Sequence, residues 1–210
     1  MTTKQASVIT REIIEESMSY SEYRKLIDEL LEEGKTTSGD DSDEILHYTR
    51  MNIQRMNRLD KRTELNDTLL RKISALDSQW IWLVLTEGWC GDAAQNVPVL
   101  NKIAETSANI DIRFILRDKH LDIMDEYLTN GGRSIPKLIC LDANTLEEIG
   151  TWGPRPAVIQ EKAMEWKDDD SITKEEWAEK LHKWYAEDST QELQDEFTEL
   201  IELWRQKSTN

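Results

Sequence analysis

Trp80-Ile81-Trp82-Leu83-Val84-Leu85-Thr86, followed by Glu87-Gly88-Trp89-Cys90-Gly91-Asp92-Ala93, is where the period of this 210-residue chain changes. The first seven residues are continuously apolar and rich in β-branched and aromatic side chains, the mark of a strand covered on both faces. After Trp89-Cys90-Gly91-Asp92 the apolar residues Val97, Leu100 and Ile103 return to helical spacing, which predicts a helix of about fifteen residues. Asp92 falls in its first turn, where the helix dipole favours a carboxylate. The same reading predicts a strand over 110–116, a helix over 121–128, a break at Gly131-Gly132, a strand over 136–141, a turn at Asp142-Ala143-Asn144, a strand over 147–151 and a helix from Pro156. The order is β-α-β-α-β-β-α, an α/β core around a central mixed sheet.

The flanks read as helix. Ser19 with Glu22 forms a capping box, Tyr23, Leu26, Ile27, Leu30 and Leu31 follow at helical spacing, and Gly34 is the stop. Beyond a polar loop at 35–40, Asp41 and Glu44 repeat the capping pattern, and Ile45, Tyr48, Met56 and Leu59 continue one face to about Arg62. A shorter helix is predicted over 66–76. Toward the C-terminus, Trp177, Leu181 and Trp184, and then Leu193, Phe197, Leu200, Ile201 and Trp204, step by three and four, as core-packing helix faces do. The expected division is a helical extension at 1–78, the α/β core at 79–165 and an acidic helical extension at 166–210.

Composition bounds the function classes. The chain has 42 acidic against 26 basic side chains and a net charge of -16. Residues 1–78 and 79–156 each carry a net -4, and residues 157–210 carry -8, so half the excess charge sits in the last quarter. Such a surface repels phosphate backbones, which argues against nucleic acid as a partner. The longest apolar run, 80–85, is far short of the roughly 20 residues a membrane-crossing helix needs, and the start of the chain carries no apolar signal core. No membrane association and a cytoplasmic location are expected. Eight tryptophans argue for a packed core. Two cysteines, Cys90 and Cys140, and three histidines, His47, His120 and His182, are too few for a disulfide framework or a structural zinc site. No metal and no cofactor are expected.

The element order, together with Trp89-Cys90-Gly91 at the strand-to-helix turn, resembles the thioredoxin superfamily over about residues 79–165. Pro98 stands eight residues after Cys90, Ser134-Ile135-Pro136-Lys137-Leu138 matches the cis-proline loop before the next-to-last strand, and Gly153 follows the last strand. More narrowly, Trp89-Cys-Gly-Asp-Ala93, Arg117-Asp118, Gly131-Gly-Arg-Ser-Ile-Pro136 and Trp152-Gly-Pro-Arg-Pro156 look like a little-characterised bacterial thioredoxin-like family with added terminal helices. The resemblance implies a thioredoxin-like fold, Cys90 as the catalytic position, and substrate contacts from Trp89, Gly91, Asp92, Ile135 and Pro136.

The departures limit the chemistry. Cys90-Gly91-Asp92-Ala93 lacks the second, resolving cysteine of a dithiol site, and Val84 stands where thioredoxins bury an acid. Cys140 lies four residues past Pro136 along a strand, roughly 13 Å on at about 3.3 Å per residue, beyond the ~7 Å at which disulfide Cα atoms meet. It reads as a buried strand residue. Cys90 at a helix N-terminus gains from the dipole and nearby N–H groups, while Asp92 opposes its ionisation. Arg133, Lys137 and His120 are candidates to restore positive charge.

Two functions follow, the first preferred because Cys90 keeps its place beside Trp89 and before a helix. One is a monothiol redox protein in which Cys90 attacks a protein or low-molecular-weight disulfide and an external thiol resolves the adduct. The other is a thioredoxin-fold binding or scaffold protein that has lost that chemistry and uses the Pro136 face and terminal helices as its interaction surface. A peroxidatic cysteine is weaker, because Thr86 lies four residues before Cys90 and peroxiredoxins place the threonine at three. The stripe Arg55, Arg58 and Arg62 reads as a solvated face or a salt-bridge partner for the acidic helices. Lys167-Asp168-Asp169-Asp170 reads as a linker, and Trp152-Gly153-Pro154-Arg155-Pro156 as a rigid turn ending the sheet, with Arg155 a candidate to lie near the site.

Overall fold

A computed structural model describes residues 8–208. Its helices are α1 (Arg11–Glu16), α2 (Tyr20–Glu32), α3 (Asp43–Arg62), α4 (Asp67–Ser74), α5 (Gly91–Glu105), α6 (Leu121–Glu126), α7 (Ala157–Lys167), α8 (Lys174–Asp188) and α9 (Gln191–Ser208). Its strands are β1 (Trp80–Thr86), β2 (Ile110–Leu116), β3 (Lys137–Asp142) and β4 (Glu148–Trp152). They form one mixed sheet in the order β2-β1-β3-β4, with β1 parallel to β2 and antiparallel to β3, and β3 antiparallel to β4. This is the α/β arrangement read from the sequence, with helices added on both sides of it in the chain.

β1 is central, with neighbours on both edges, and all seven of its residues are buried. Successive side chains point to opposite faces. On one face Trp82 lies opposite Cys140 across the β1–β3 pair, and Cys140 lies opposite Gly150 on β4. The glycine makes room for Trp204 of α9: a Cβ on Gly150 would stand 2.1 Å from the Trp204 Nε1. Trp82 and Trp152 each meet Phe197 of the same helix with ring centroids 5.3 Å apart. The aromatic row predicted for the last helix is therefore core, anchored on the sheet. α8 behaves differently. Leu181 and Tyr185 pack with Ile159 and Ala163 of α7, flanked by Trp166, Trp177 and Trp184, in an apolar cluster separate from the main core.

α5 is buried on nearly every side, with Pro98 inside it. Its flanking helix α3 holds the loop ahead of Cys90: Asn52 Nδ2 donates to the Gly88 carbonyl at 3.0 Å.

Three local readings need correction. The Ser19–Glu22 capping box is present, but the Asp41–Glu44 one is not: Ser42 is the N-cap of α3 without a side-chain bond, and Asp41 accepts instead from the Thr36 N–H at 2.7 Å. Thr36 folds the 35–40 loop back and takes that carboxylate. The short α1 was not predicted. It is held by a Thr10 N-cap and by the Met18–Phe114 bridge to β2. Third, the helix predicted to reach Leu128 stops at Glu126, with Thr129 and Gly132 closing a tight bridge just beyond.

Candidate functional site

Cys90 is the N-cap of α5, where the chain leaves β1 and turns into the helix. Its Sγ accepts from the Ala93 N–H at 3.5 Å and donates to the Ile135 carbonyl at 3.3 Å. The thiol thus lies against the loop ahead of Pro136, whose peptide bond with Ile135 is cis. Ile135 and Pro136 are buried beneath the turn at the end of β4. Gly153 sits there at φ +112°, and a Cβ on it would lie 2.2 Å from the Pro136 carbonyl oxygen, so only glycine lets the two loops touch.

Access and ionisation both work against the thiol. Cys90 is 8% exposed. Burial, and next to it the Asp92 carboxylate, push its pKa up to about 12, against the smaller opposing pull of the Ala93 and Asp92 N–H groups and of Arg155. The helix N-terminus therefore does not leave Cys90 more acidic than an ordinary thiol. Desolvation of the anion outweighs the backbone N–H groups that the helix N-terminus turns toward it.

Asp92 is the hub. It too is 8% exposed, and it accepts from Arg155 Nε at 3.1 Å, from Arg155 Nη2 at 2.5 Å and from the Tyr185 hydroxyl at 2.8 Å. Asn96 Nδ2, one turn on, donates to the Tyr185 oxygen at 3.0 Å and to the Asp92 carbonyl at 2.9 Å. The remaining Arg155 nitrogen, Nη1, donates to Gln160 Oε1 at 3.0 Å, and the guanidinium stands 5.6 Å from the Trp177 ring centroid. A buried carboxylate with a bidentate arginine and a phenol is satisfied within the protein. The turn at 152–156 places Arg155 beside the site.

Gly91 is roofed by α8 and α3. A Cβ there would stand 2.9 Å from His182 Cε1 and 3.8 Å from Arg55 Nη1. Burial, then the Arg55 charge, lower the His182 pKa to about 4, so the imidazole on this roof is neutral near pH 7.

The predicted tuning residues are turned elsewhere. Arg133 is about half exposed and makes a bidentate pair with Asp125 at 2.6 and 2.8 Å. Lys137 is buried with Nζ 3.5 Å from Thr129 Oγ1, and burial lowers its pKa. His120 caps α6 by position and makes no capping bond with its side chain. The cation acting on the thiol is Arg155. Trp89 is half-buried under the Arg117 guanidinium, 5.0 Å from its ring centroid. Of the basic stripe, Arg55 reaches the site's roof, while Arg58 and Arg62 line a separate cleft against residues 185–191.

Sequence reasoning missed Tyr185, His182 and Glu87. The position six before Cys90 is Val84, but three before it Glu87 is fully buried, accepting from the Thr37 hydroxyl and from the Asp118 N–H at 3.0 Å, and burial raises its pKa. A charged residue inside an apolar strand-to-turn segment was the available signal. Cys140 is buried and free, as a strand residue should be.

This arrangement of a thiol at a strand-to-helix turn, facing the loop before a cis-proline on a β2-β1-β3-β4 sheet, defines a thioredoxin-like protein. The family model described as Thioredoxin matches residues 39–177, and the chain belongs to that family. A solved structure of a protein of unknown function from Pseudomonas aeruginosa superposes with a TM-score of 0.60 at 16% identity, covering 91% of this chain and 95% of that one. An HIV epitope-scaffold superposes with a TM-score of 0.50 at 18% identity over 88% of this chain and 98% of its own. At such identities the likeness is one of fold. No curated protein matches the chain. Among the described residues no helix is long and apolar enough to cross a membrane.

Proposed function

We propose that this protein is a thioredoxin-fold binding protein that has given up dithiol chemistry and uses the loop before Pro136, together with its terminal helices, as an interaction surface. One observation carries the reading: Cys90 is covered and protonated, and the groups that could activate it are committed to Asp92. At neutral pH the nucleophilic thiolate is scarce, and no second cysteine stands within reach to release a mixed disulfide. On this reading residues 1–78 and 166–210 are extensions to a core at 79–165, and α3 and α8 supply the side chains over Gly91. The protein works in the cytoplasm and belongs with the little-characterised bacterial relatives that share the Trp-Cys-Gly-Asp-Ala motif.

The monothiol reading is second, and the 3.3 Å contact of Cys90 Sγ with the Ile135 carbonyl favours it, because that is where an extended substrate would pair in a thioredoxin. It requires the buried sulfur to become exposed, with the Ile135 carbonyl released from the thiol. Affinity capture with wild type and Cys90→Ser in reducing buffer distinguishes the two. Partners retained by the serine variant support binding, and partners lost with the sulfur support redox.

A further inference from the structure

Beside the thiol, a cleft of about 530 Å³ opens between residues 129–134 and the α7–α8 pair. Its size is that of a small-molecule site, roughly 300–1,000 Å³. Its charge is the reverse of the chain's. Arg155, Lys167 and Lys174 line it and no aspartate or glutamate does, in a protein with 42 acids to 26 bases. Both lysines come from residues 157–210, the most acidic part of the sequence.

The three cations are not equivalent. Arg155 is neutralised by Asp92 and held by Gln160. Lys174 has only a long contact of 3.8 Å with Glu44, both side chains being largely exposed, which holds it weakly. Lys167 makes no ion pair among the described residues. Two ammonium groups are therefore available in the lining, together with the half-buried rings of Trp166, which has Lys180 Nζ 5.6 Å from its centroid, and Trp177, which has the Arg155 guanidinium at 5.6 Å. A phosphate would gain most from the free N–H groups of a helix N-terminus, but at the nearest one, that of α8, the capping box takes two of them and places a carboxylate there: Glu176 accepts from the Thr173 N–H at 2.9 Å and the Thr173 hydroxyl accepts from the Glu176 N–H at 3.2 Å. What remains suits one carboxylate with a flat apolar body.

We propose that this cleft binds a small aromatic carboxylate, its ring against Trp166 and Trp177 and its charge at Lys167 and Lys174. The cleft meets the Cys90 site twice, because Ser134 in its lining precedes Ile135, whose carbonyl accepts from the thiol, and Arg155 in its lining holds Asp92. The proposal rests on the binding reading and names its ligand class.

The test is calorimetric titration of the full chain with 2-naphthoate and with uncharged 2-naphthamide, with amide-shift mapping by NMR. The expected result is that naphthoate binds at least about tenfold more tightly than the amide and loses affinity as salt rises. Its shifts should centre on residues 163–177 and Ser134, and Lys167→Glu/Lys174→Glu, at two exposed positions, should weaken it about tenfold or more with an unchanged melting curve. No binding up to about 5 mM, equal binding of the amide, an unaffected charge-reversal variant, or shifts centred elsewhere would each overturn it. Cys90→Ser keeps the two questions apart. If naphthoate fails while the serine variant keeps its partners, the ligand class is wrong and the binding reading stands. If naphthoate binds and the partners are lost, the reverse holds.

Discussion

Alkylation of Cys90 in the folded protein should be slow, and its rate can be worked out before the experiment. At pH 8 an ordinary thiol of pKa about 8.5 is about one-quarter thiolate, whereas a thiol at about 12 is ionised in about one molecule in ten thousand. The deficit is about 2,400-fold. A more basic thiolate is also a better nucleophile, and a Brønsted slope of about 0.4–0.5 returns about 25- to 55-fold of that. Ionisation alone therefore leaves Cys90 about 40- to 100-fold slower than a flexible peptide of the same sequence, and its 8% exposure slows it further. The assay is timed reaction with iodoacetamide at pH 8, quenched and read peptide by peptide in a mass spectrometer. The unfolded chain in urea should label both Cys90 and Cys140 at the peptide rate. Native Cys90 reacting at that rate, or a rate that levels off below about pH 9, would refute the reasoning, because either outcome requires an accessible thiolate that this geometry does not provide.

Other outcomes follow from the same contacts. Tyr185→Phe removes a donor to a buried carboxylate and should cost about 1–3 kcal/mol in denaturant unfolding while speeding Cys90 alkylation, since α8 loses its polar tie to Asp92. Asp92→Asn removes the charge that raises the thiol pKa after burial itself and should shift the alkylation profile to lower pH, at a cost in stability from the unpaired Arg155. His182, with a folded pKa of about 4 below its unfolded 6.5, binds fewer protons folded than unfolded between those values, so stability should fall as pH drops from about 6.5 to 4 and the fall should be smaller in His182→Gln. Arg55 and Asp92 are the charges facing it. Gly150→Ala drives a methyl into the buried Trp204 ring and should lower stability by about 2–3 kcal/mol or more, measured by thermal melting.

How far the sequence reaches is clearest at particular residues. β1 was legible to the residue because a run of β-branched and aromatic side chains, buried on both faces, has no competing pattern, and β2 because its β-branched and aromatic residues are interrupted only by the two polar side chains Asp111 and Arg113 of its partly exposed first half. The Ser19 cap was legible because its two hydrogen bonds close within four residues. So was the meeting of Cys90 with the loop before Pro136, through the resemblance the motif carries. Tyr185 and His182 were not, because an amphipathic helix displays its spacing and not its partner, and nothing in the 174–188 stretch says that its face lies on Gly91 and Asp92. The sign of the Cys90 shift was open for a similar reason. Dipole and neighbouring charge can be read from adjacent residues, whereas burial depends on what the rest of the chain lays over them. Arg133 and Lys137 were reasonable candidates by proximity in sequence, and each is diverted by a partner eight residues away, Asp125 and Thr129.

The Tyr185–Asp92 bond joins residues 93 positions apart, which gives the roof over Gly91 a place in time as well as in space. At about 5–20 residues per second, α8 leaves the ribosome roughly 5–20 s after the Gly91-Asp92 turn on which it will pack. For that interval Cys90 stands beside a Gly91-Asp92 turn that has neither His182 nor Tyr185 packed on it, and its thiol should meet small oxidants more readily than in the finished fold. A modification found there in cells would record the biography of the chain during synthesis, and its absence from refolded protein would separate that history from any reaction of the mature molecule.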